Sequence, residues 1–495
     1  MKRFIEGENR FQATLFPESL DDYIADDNPV RAIDAFVDGL DLKALGFERA
    51  EPAATGRPAY EPAVMLKIYV YGYMNRLKST RILEQETHRN VDLLWLTGRL
   101  MPDHKTIGEF RRKNRKAIRR VCMAFVEICR KLDLFSGVIV AIDGSKFKGV
   151  NSRDKNFTRK SIKRRKQHLQ EHIDRYFRVL DAADKREASY PKYTAEELKA
   201  KITSMQAQMR ELEVIEAEVE AHPDKQVSRT DPDSRSMTKA GGGTEVGYNV
   251  QAAVDGERHL IVAHEVTNEP TDRAQLSSMA EQAKTAVRGE ETEAPATESE
   301  DEHQGHEAFT VVADAGYYKG EEIVACQDQG ITPLVPKVDT SGKRAKGQFT
   351  REAFRYDAEQ KVYRCPAGQS LPYSFSTQEK GKLLHVYMTN RCQGCDLKAR
   401  CTTGKERRIR RWEHEHRLET AAAALKKQPD AMRLRKQIVE HPFGTIKHWM
   451  GATHFVMKRL ENVQAEMSLY VLGYNLKRAI AVLGMPKLMA ALEAA

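Results

Sequence analysis

The sequence predicts an α/β fold: a mixed sheet of three antiparallel strands followed by parallel ones, preceded by an all-α N-terminal region. A helical-hairpin insertion and a small Cys-rich β insertion interrupt it. Three observations predict this. The first 135 residues carry apolar positions at a spacing near 3.6, divided by Pro and Gly signals. From Val138 onward, β-branched runs alternate with helical segments in the order strand, strand, strand, helix, strand, helix, strand. Two of those runs, VIVAID and VVAD, end on an acid followed by small residues: Asp143 before Gly144 and Ser145, and Asp314 before Ala315 and Gly316.

In the N-terminal region VRAIDAFVDGL, PAVMLKIYVYGYMN, STRILEQETHRNVDLLWLTG and TIGEFRRKNRKAIRRVCMAFVEICRKLDLF read as helices, the last capped by Asp103 or Thr106. Its basic half, with Arg111 and Arg112, suits a polyanion or a solvated face. The strands follow at 138–148, 245–255 and 259–269, with Asp255-Gly256 as a hairpin turn. A helix at 271–287 starts at Thr271 or Asp272, and strands at 309–318 and 331–338 flank a helix from Lys319 to about Gln329. The first three strands can form an antiparallel meander, while helical crossovers make the later ones parallel neighbours. The expected division is 1–135 helical; 136–338 core, with a hairpin insertion at 151–230 and an acidic linker at 288–308; 339–430 Cys-rich; and 431–495 closing helices.

A formal charge of +9 points to polyanion partners, and basic runs recur at 111–120, 159–168 and 405–412. No apolar run reaches the roughly 18 residues of a membrane span. The N-terminus lacks a secretory apolar region, so cytoplasmic residence is expected. Seven cysteines in such a chain do not suggest a disulfide framework.

A lone aspartate after a strand reads as a loop starter. Two matching ones on the first and fourth strands, which can be adjacent, suggest a site. Their like charges repel unless a cation lies between them, and hard carboxylate oxygens suit Mg²⁺ or Mn²⁺. Two such ions can activate a nucleophile and stabilise a leaving oxygen in phosphoryl transfer. Downstream, RLRKQIVEHPFGTIKHWMG offers Glu440 with Lys436 four residues before and Lys447 seven after, all on one helical face. Pro442 implies a kink near Glu440 or a helix starting close to it.

With these motifs in this order, nearly the whole chain resembles the DDE transposases of bacterial insertion sequences. NRFQATLFPESLDDYI to HKTIGEFRRKN is similar to their helical N-terminal domain, and the rest to their RNase H-like catalytic domain. The resemblance carries the catalytic, metal-binding triad onto Asp143 in IDGSKFK, Asp314 in VVADAGYY and Glu440 in IVEHPFGTIK. Against the family's Tyr-x2-Arg-x3-Glu-x6-Lys signature, Glu440 and Lys447 match, Lys436 stands for the Arg and Arg433 for the Tyr. The stretch 453–480 is similar to the closing helix. The resemblance implies an enzyme that binds double-stranded DNA at terminal inverted repeats, cuts there with Mg²⁺ and joins the 3′-OH to target DNA. It also implies a homodimer or larger assembly, with Lys447, Lys436, Lys146, Arg111 and Arg112 contacting DNA. A divalent-metal nuclease on the same fold and a non-catalytic domesticated DNA-binding protein are the alternatives.

Cys365 in YRCPAGQ and Cys392, Cys395 and Cys401 in RCQGCDLKARC have the pattern of a closed structural Cys₄ zinc site, as in a zinc ribbon. Cys122, Cys129 and Cys326 lie on apolar helical faces and read as core. Trp412 reads as core before it reads as a platform for an unpaired base. The hairpin at 159–222 fits dimerisation, DNA contact or a solvated arm.

Overall fold

The computed structural model describes residues 19–494 apart from 53, 56–57, 185–193, 239–241, 290–307, 338–341 and 343–346. The break at ASYPKY and nearly all of the acidic linker therefore lie outside the described residues. The helical region comprises α1 (Pro29–Asp38), α2 (Pro62–Met74), α3 (Thr80–Thr87), α4 (Val91–Thr97), α5 (His104–Lys113) and α6 (Arg115–Lys131). Asp103 caps α5, its carboxylate accepting the N–H groups of Lys105 (2.8 Å) and Thr106 (2.9 Å). Asn114 separates α5 from α6, dividing what the periodicity alone reads as one helix.

β1 (Ile139–Lys148) begins the sheet. Short strands β2 (Asn156–Thr158) and β3 (Gln226–Ser228) pair at the foot of the hairpin α7 (Arg159–Asp184) and α8 (Ala195–Ala221). β4 (Arg235–Thr238), β5 (Thr244–Asp255), β6 (Ile261–Thr267), α9 (Leu276–Arg288), β7 (Thr310–Ala313), α10 (Gly320–Asp328) and β8 (Thr332–Leu334) complete the core. The sheet runs β4-β5-β1-β7-β8, and β6 pairs with the part of β5 beyond β4. β6, β5 and β1 are antiparallel, while β1, β7 and β8 are parallel. β4 has no apolar run to announce it; backbone pairing to residues 244–247 makes it a strand.

The helix after β6 starts at Leu276, not at Thr271 or Asp272. The Asp272 side chain is bound instead to groups on β1 and β5, described below. Beyond the sheet, β9 (Arg355–Asp357), β10 (Val362–Arg364) and β11 (Ser370–Leu371) form one small sheet. β12 (Tyr373–Glu379), β13 (Lys382–Tyr387) and β14 (Ile409–Trp412) form another, with α11 (Lys398–Cys401) between. Trp412 is buried under the ammonium of Lys382, a core position.

α12 (Glu415–Lys427), α13 (Ala431–Gly444), α14 (Leu460–Leu483) and α15 (Met485–Ala494) close the chain. α13 continues through Pro442 and passes into a π-helical turn at Thr445–Trp449, so it neither starts at Glu440 nor stops there. Proline removes the N–H that would serve the Ile438 carbonyl. His259 Nδ1, 3.3 Å from that oxygen, takes its place.

One hydrophobic core joins the N-terminal helices to the sheet. α14 lies at its centre with Val463, Leu469, Tyr470, Leu472 and Leu476 buried against α2, α6 and β6, while α15 packs on α1. No helix among the described residues is long and apolar enough to cross a membrane.

Candidate active site on the first and fourth strands

Register brings the two acids together. In the parallel pair β1–β7, Ile142 stands opposite Ala313, so the next residues, Asp143 and Asp314, emerge side by side. Neighbouring strands are about 4.8 Å apart, which leaves two carboxylates no way to avoid each other. Arg435, on α13, bridges them. Its Nη2 is 2.5 Å from Asp143 Oδ1 and 3.7 Å from Asp314 Oδ2. The guanidinium is only 14% exposed, and its Nε is buried without a partner among the described residues.

Burial pushes the Asp143 carboxyl up to about 6; Arg435 opposes this, and the nearby Asp314 and Asp272 charges add to it. Asp143 Oδ1 also accepts the Gly144 N–H at 2.9 Å. Asp314 opens a short 3₁₀ turn and accepts the Gly316 N–H at 2.8 Å. Beneath them, the buried Tyr317 hydroxyl donates to Gln251 Oε1. Its ionisation is held well above the usual tyrosine range, first by burial and then by the charges of Asp272, Asp143 and Asp314.

Asp272 is the third acid here. Its Oδ1 accepts from Asn249 Nδ2 (2.7 Å), Gln251 Nε2 (2.8 Å) and Lys146 Nζ (3.1 Å). Register explains the cluster: Lys146 faces Asn249 and Gly144 faces Gln251 across β1–β5. A Cβ on Gly144 would lie 2.4 Å from Asp272 Oδ1 and 2.5 Å from Gln251 Nε2, so any side chain there would displace the Asp272–Gln251 hydrogen bond.

The other expected residues are placed as follows. Lys447, in the π-helical turn, donates to Ser145 Oγ (2.6 Å) and to the Lys146 carbonyl (3.1 Å), two and three residues after Asp143. Lys146 is committed to Asp272 rather than turned outward with Lys148. Lys436 and Glu440 pair with each other at 3.6 Å, on an open face where Glu440 is 65% exposed, rather than facing the aspartates. Residues 435 and 440 lie about 140° apart around a helix axis. The helix that aims Arg435 at the aspartates therefore does not aim Glu440 there as well. Among the described residues no group of three His, Cys, Asp or Glu side chains is set to hold a metal ion. Arg112 is exposed, whereas Arg111 is buried: its Nη1 donates to the Tyr73 hydroxyl (2.6 Å) and the guanidinium covers the Tyr69 ring. Arg111 thus belongs to the core, because the partners that draw it inward are distant in sequence.

Cys365, Cys392, Cys395 and Cys401 line one cavity of about 30 Å³, walled by Phe349, Phe354 and Leu371. The thiols are free, and burial raises that of Cys401. Cys122, Cys129 and Cys326 are buried core residues.

Arg435, Asp272 and Gln251 were not expected at the site. Arg435 is hidden in the basic run RLRKQ, and Asp272 has the look of a helix cap. A pair of adjacent acids at two strand ends signals that some cation must lie near, but not which one.

Two family comparisons bear on the chain. A transposase domain (DUF772) matches residues 18–113, and a transposase DDE domain matches residues 364–480. The second stretch contains Arg435, Glu440 and Lys447; Asp143 and Asp314 lie before it. Comparison with curated proteins gives no match, nor does comparison with solved structures. A transposase domain thus covers its first helices and a transposase DDE domain the stretch from β10 into α14, and the two matches together support an insertion-sequence DDE transposase.

Proposed function

We propose that the protein binds the terminal inverted repeats of an insertion sequence, cleaves at the element ends and joins the 3′-OH to target DNA. The observation that carries this is the placement of Asp143 beside Asp314 with one cation already shared between them. The strand order, antiparallel for three strands and then parallel, supports an RNase H-like core. Two hard carboxylates that jointly attract positive charge fit Mg²⁺ or Mn²⁺. Such ions, when bound, activate water or a 3′-OH and stabilise the leaving oxygen.

The protein's own groups do the positioning. Asp143 and Asp314 would hold the ions from the two strand ends, and Glu440, which now faces solvent beside Lys436, would join them as a further acid once α13 turns Arg435 away from the aspartates. Lys447, anchored at Ser145, meets a phosphate next to the scissile one, with Lys436 and Arg112 further out. Arg435, once released from the carboxylates, offers its unpaired Nε and its Nη groups to a phosphate oxygen. Two element ends must be processed together, so the working form is a dimer or larger assembly in the cytoplasm. The test uses a plasmid carrying the gene's flanking inverted repeats. Protein with Mg²⁺ gives cleaved ends and joined products, and EDTA abolishes both. Cleavage with no joined product would instead favour a nuclease.

The four cysteines line one small cavity, and a structural zinc ion there would have to draw at least three of them closer together than they stand. Purified protein then contains one zinc per chain, and Cys392→Ser loses it. Equal zinc content in both proteins would remove the site.

A further inference from the structure

The base of the helical hairpin carries a charged face that the carboxylate site does not use. α7 begins Arg159-Lys-Ser-Ile-Lys-Arg-Arg-Lys166, and the fold sorts these residues by direction. Ile162 is buried with Phe157, Leu212, Ile215 and Val219. Arg159 and Lys166 reach across to α8, where they pair with Glu220 and, at 2.6 Å, with Glu216. Arg165 lies over the Phe157 ring and donates to the Asp154 carbonyl at 2.9 Å.

Lys160, Lys163 and Arg164 are left on a different face, with Gln167 continuing it at the i, i+3, i+4, i+7 spacing of a single helical stripe. All are exposed, and among the described residues none of the three cations forms an ion pair, although α8 is rich in glutamate. Like charges at these spacings repel and disfavour the helix that carries them. A polyanion lying alongside removes that penalty.

The stripe forms one wall of an open groove of about 830 Å³; Ser236 of β4 and Thr244 of β5 stand on the other, and Asp154 is its one carboxylate. The groove also lies on the sheet that holds the carboxylates. Val246 and Gly247 of β5 sit at the register of Ser236 and Arg235, and Gly247 pairs with Lys148, five residues along β1 from Asp143. At about 3.3 Å per residue, Lys148 lies about 17 Å along β1 from Asp143.

We propose that this groove takes the sugar–phosphate backbone of duplex DNA flanking the phosphate held at Asp143 and Asp314. The proposal rests on the transposase function and adds a surface to it. The contacts are to phosphate, so they are independent of sequence and depend steeply on salt.

The experiment is a salt titration of full-length protein binding an element-end duplex, followed by fluorescence anisotropy. Lys160, Lys163 and Arg164 are changed together to Gln; these exposed positions leave the thermal midpoint unchanged. Each lost phosphate contact lowers the slope of log K against log salt by about 0.9, so the triple variant is expected to be shallower by about 2.7. Lys166→Gln, which only removes the pair with Glu216, keeps the parent slope. A triple variant with the parent slope overturns the proposal, as does a Lys166→Gln slope that falls as far as the triple. Loss of binding to a double-stranded RNA of equal length, with DNA binding intact, would reassign the groove to RNA. If the parent protein binds no duplex at all, the transposase function fails first.

Discussion

Asp143→Asn is expected to reduce DNA cleavage and joining by about 10³-fold or more, with no loss of folding stability at pH 8. The loss of activity follows from the site: an amide cannot share the charge of a divalent ion, and electrostatic contributions of this kind are worth orders of magnitude in rate. The stability follows from the sign of the pKa shift. Burial pushes the Asp143 carboxyl from 3.8 up to about 6 even with Arg435 beside it. A carboxyl whose folded pKa lies above its unfolded one stabilises the fold below about pH 4, and that stability is withdrawn as pH rises through about 6. At pH 8 the ionised Asp143 is therefore a cost that Asn removes, while Arg435 keeps Asp314. The same shift means that protons compete with a divalent ion for Asp143, so the Mg²⁺ concentration for half-maximal activity is expected to rise as pH drops through about 6. Strand-transfer assays and urea denaturation of both proteins check this. An Asp143→Asn protein that still cleaves in Mg²⁺ would remove Asp143 from the site.

Glu466→Ala is expected to have the largest effect on folding, a loss of about 3–5 kcal/mol. Glu466 is a fully buried carboxylate on α14. It accepts the N–H of Val456 (3.0 Å) and of Met457 (2.9 Å), and the buried Arg111 on α5 faces it electrostatically. Removing it orphans two backbone donors and leaves a guanidinium uncompensated in the core. Glu466→Gln keeps an acceptor and is expected to lose about half as much. The urea midpoints order the three proteins. An Ala variant within about 1 kcal/mol of the parent would show that water reaches this cluster.

The two strand-acid motifs and their adjacency could be read from sequence because a buried strand leaves a continuous β-branched run, and crossover helices restrict which strands can be neighbours. The cap at Asp103, the hairpin insertion and the core cysteines were readable for similar local reasons. What could not be read depends on partners far away in the chain. Arg435 and Lys436 are chemically alike, and only the packing of α13 on β1 and β7 decides that the first meets the aspartates while the second pairs with Glu440 in solvent. Asp272 is bound by residues 126, 23 and 21 positions earlier, so its local sequence suggests only a cap. Arg111 sits in a run of basic residues whose other members are exposed, and only Tyr73 and Glu466 reveal it as a core residue. Pro442 forbids a continuous helix until His259 is seen serving the Ile438 carbonyl.

The central position of α14 sets an order of events during synthesis. Residues 460–483 fill the space between α2, α6 and β6, and α15 then lies on α1. A ribosome makes these residues after the helices and strands they cover, at about 5–20 per second. Until they emerge, the first helices and the sheet have apolar faces with nothing to cover them. A nascent chain truncated before α14 is therefore a ready client for chaperones, and the aspartate pair settles into its rigid frame only after α14 has emerged.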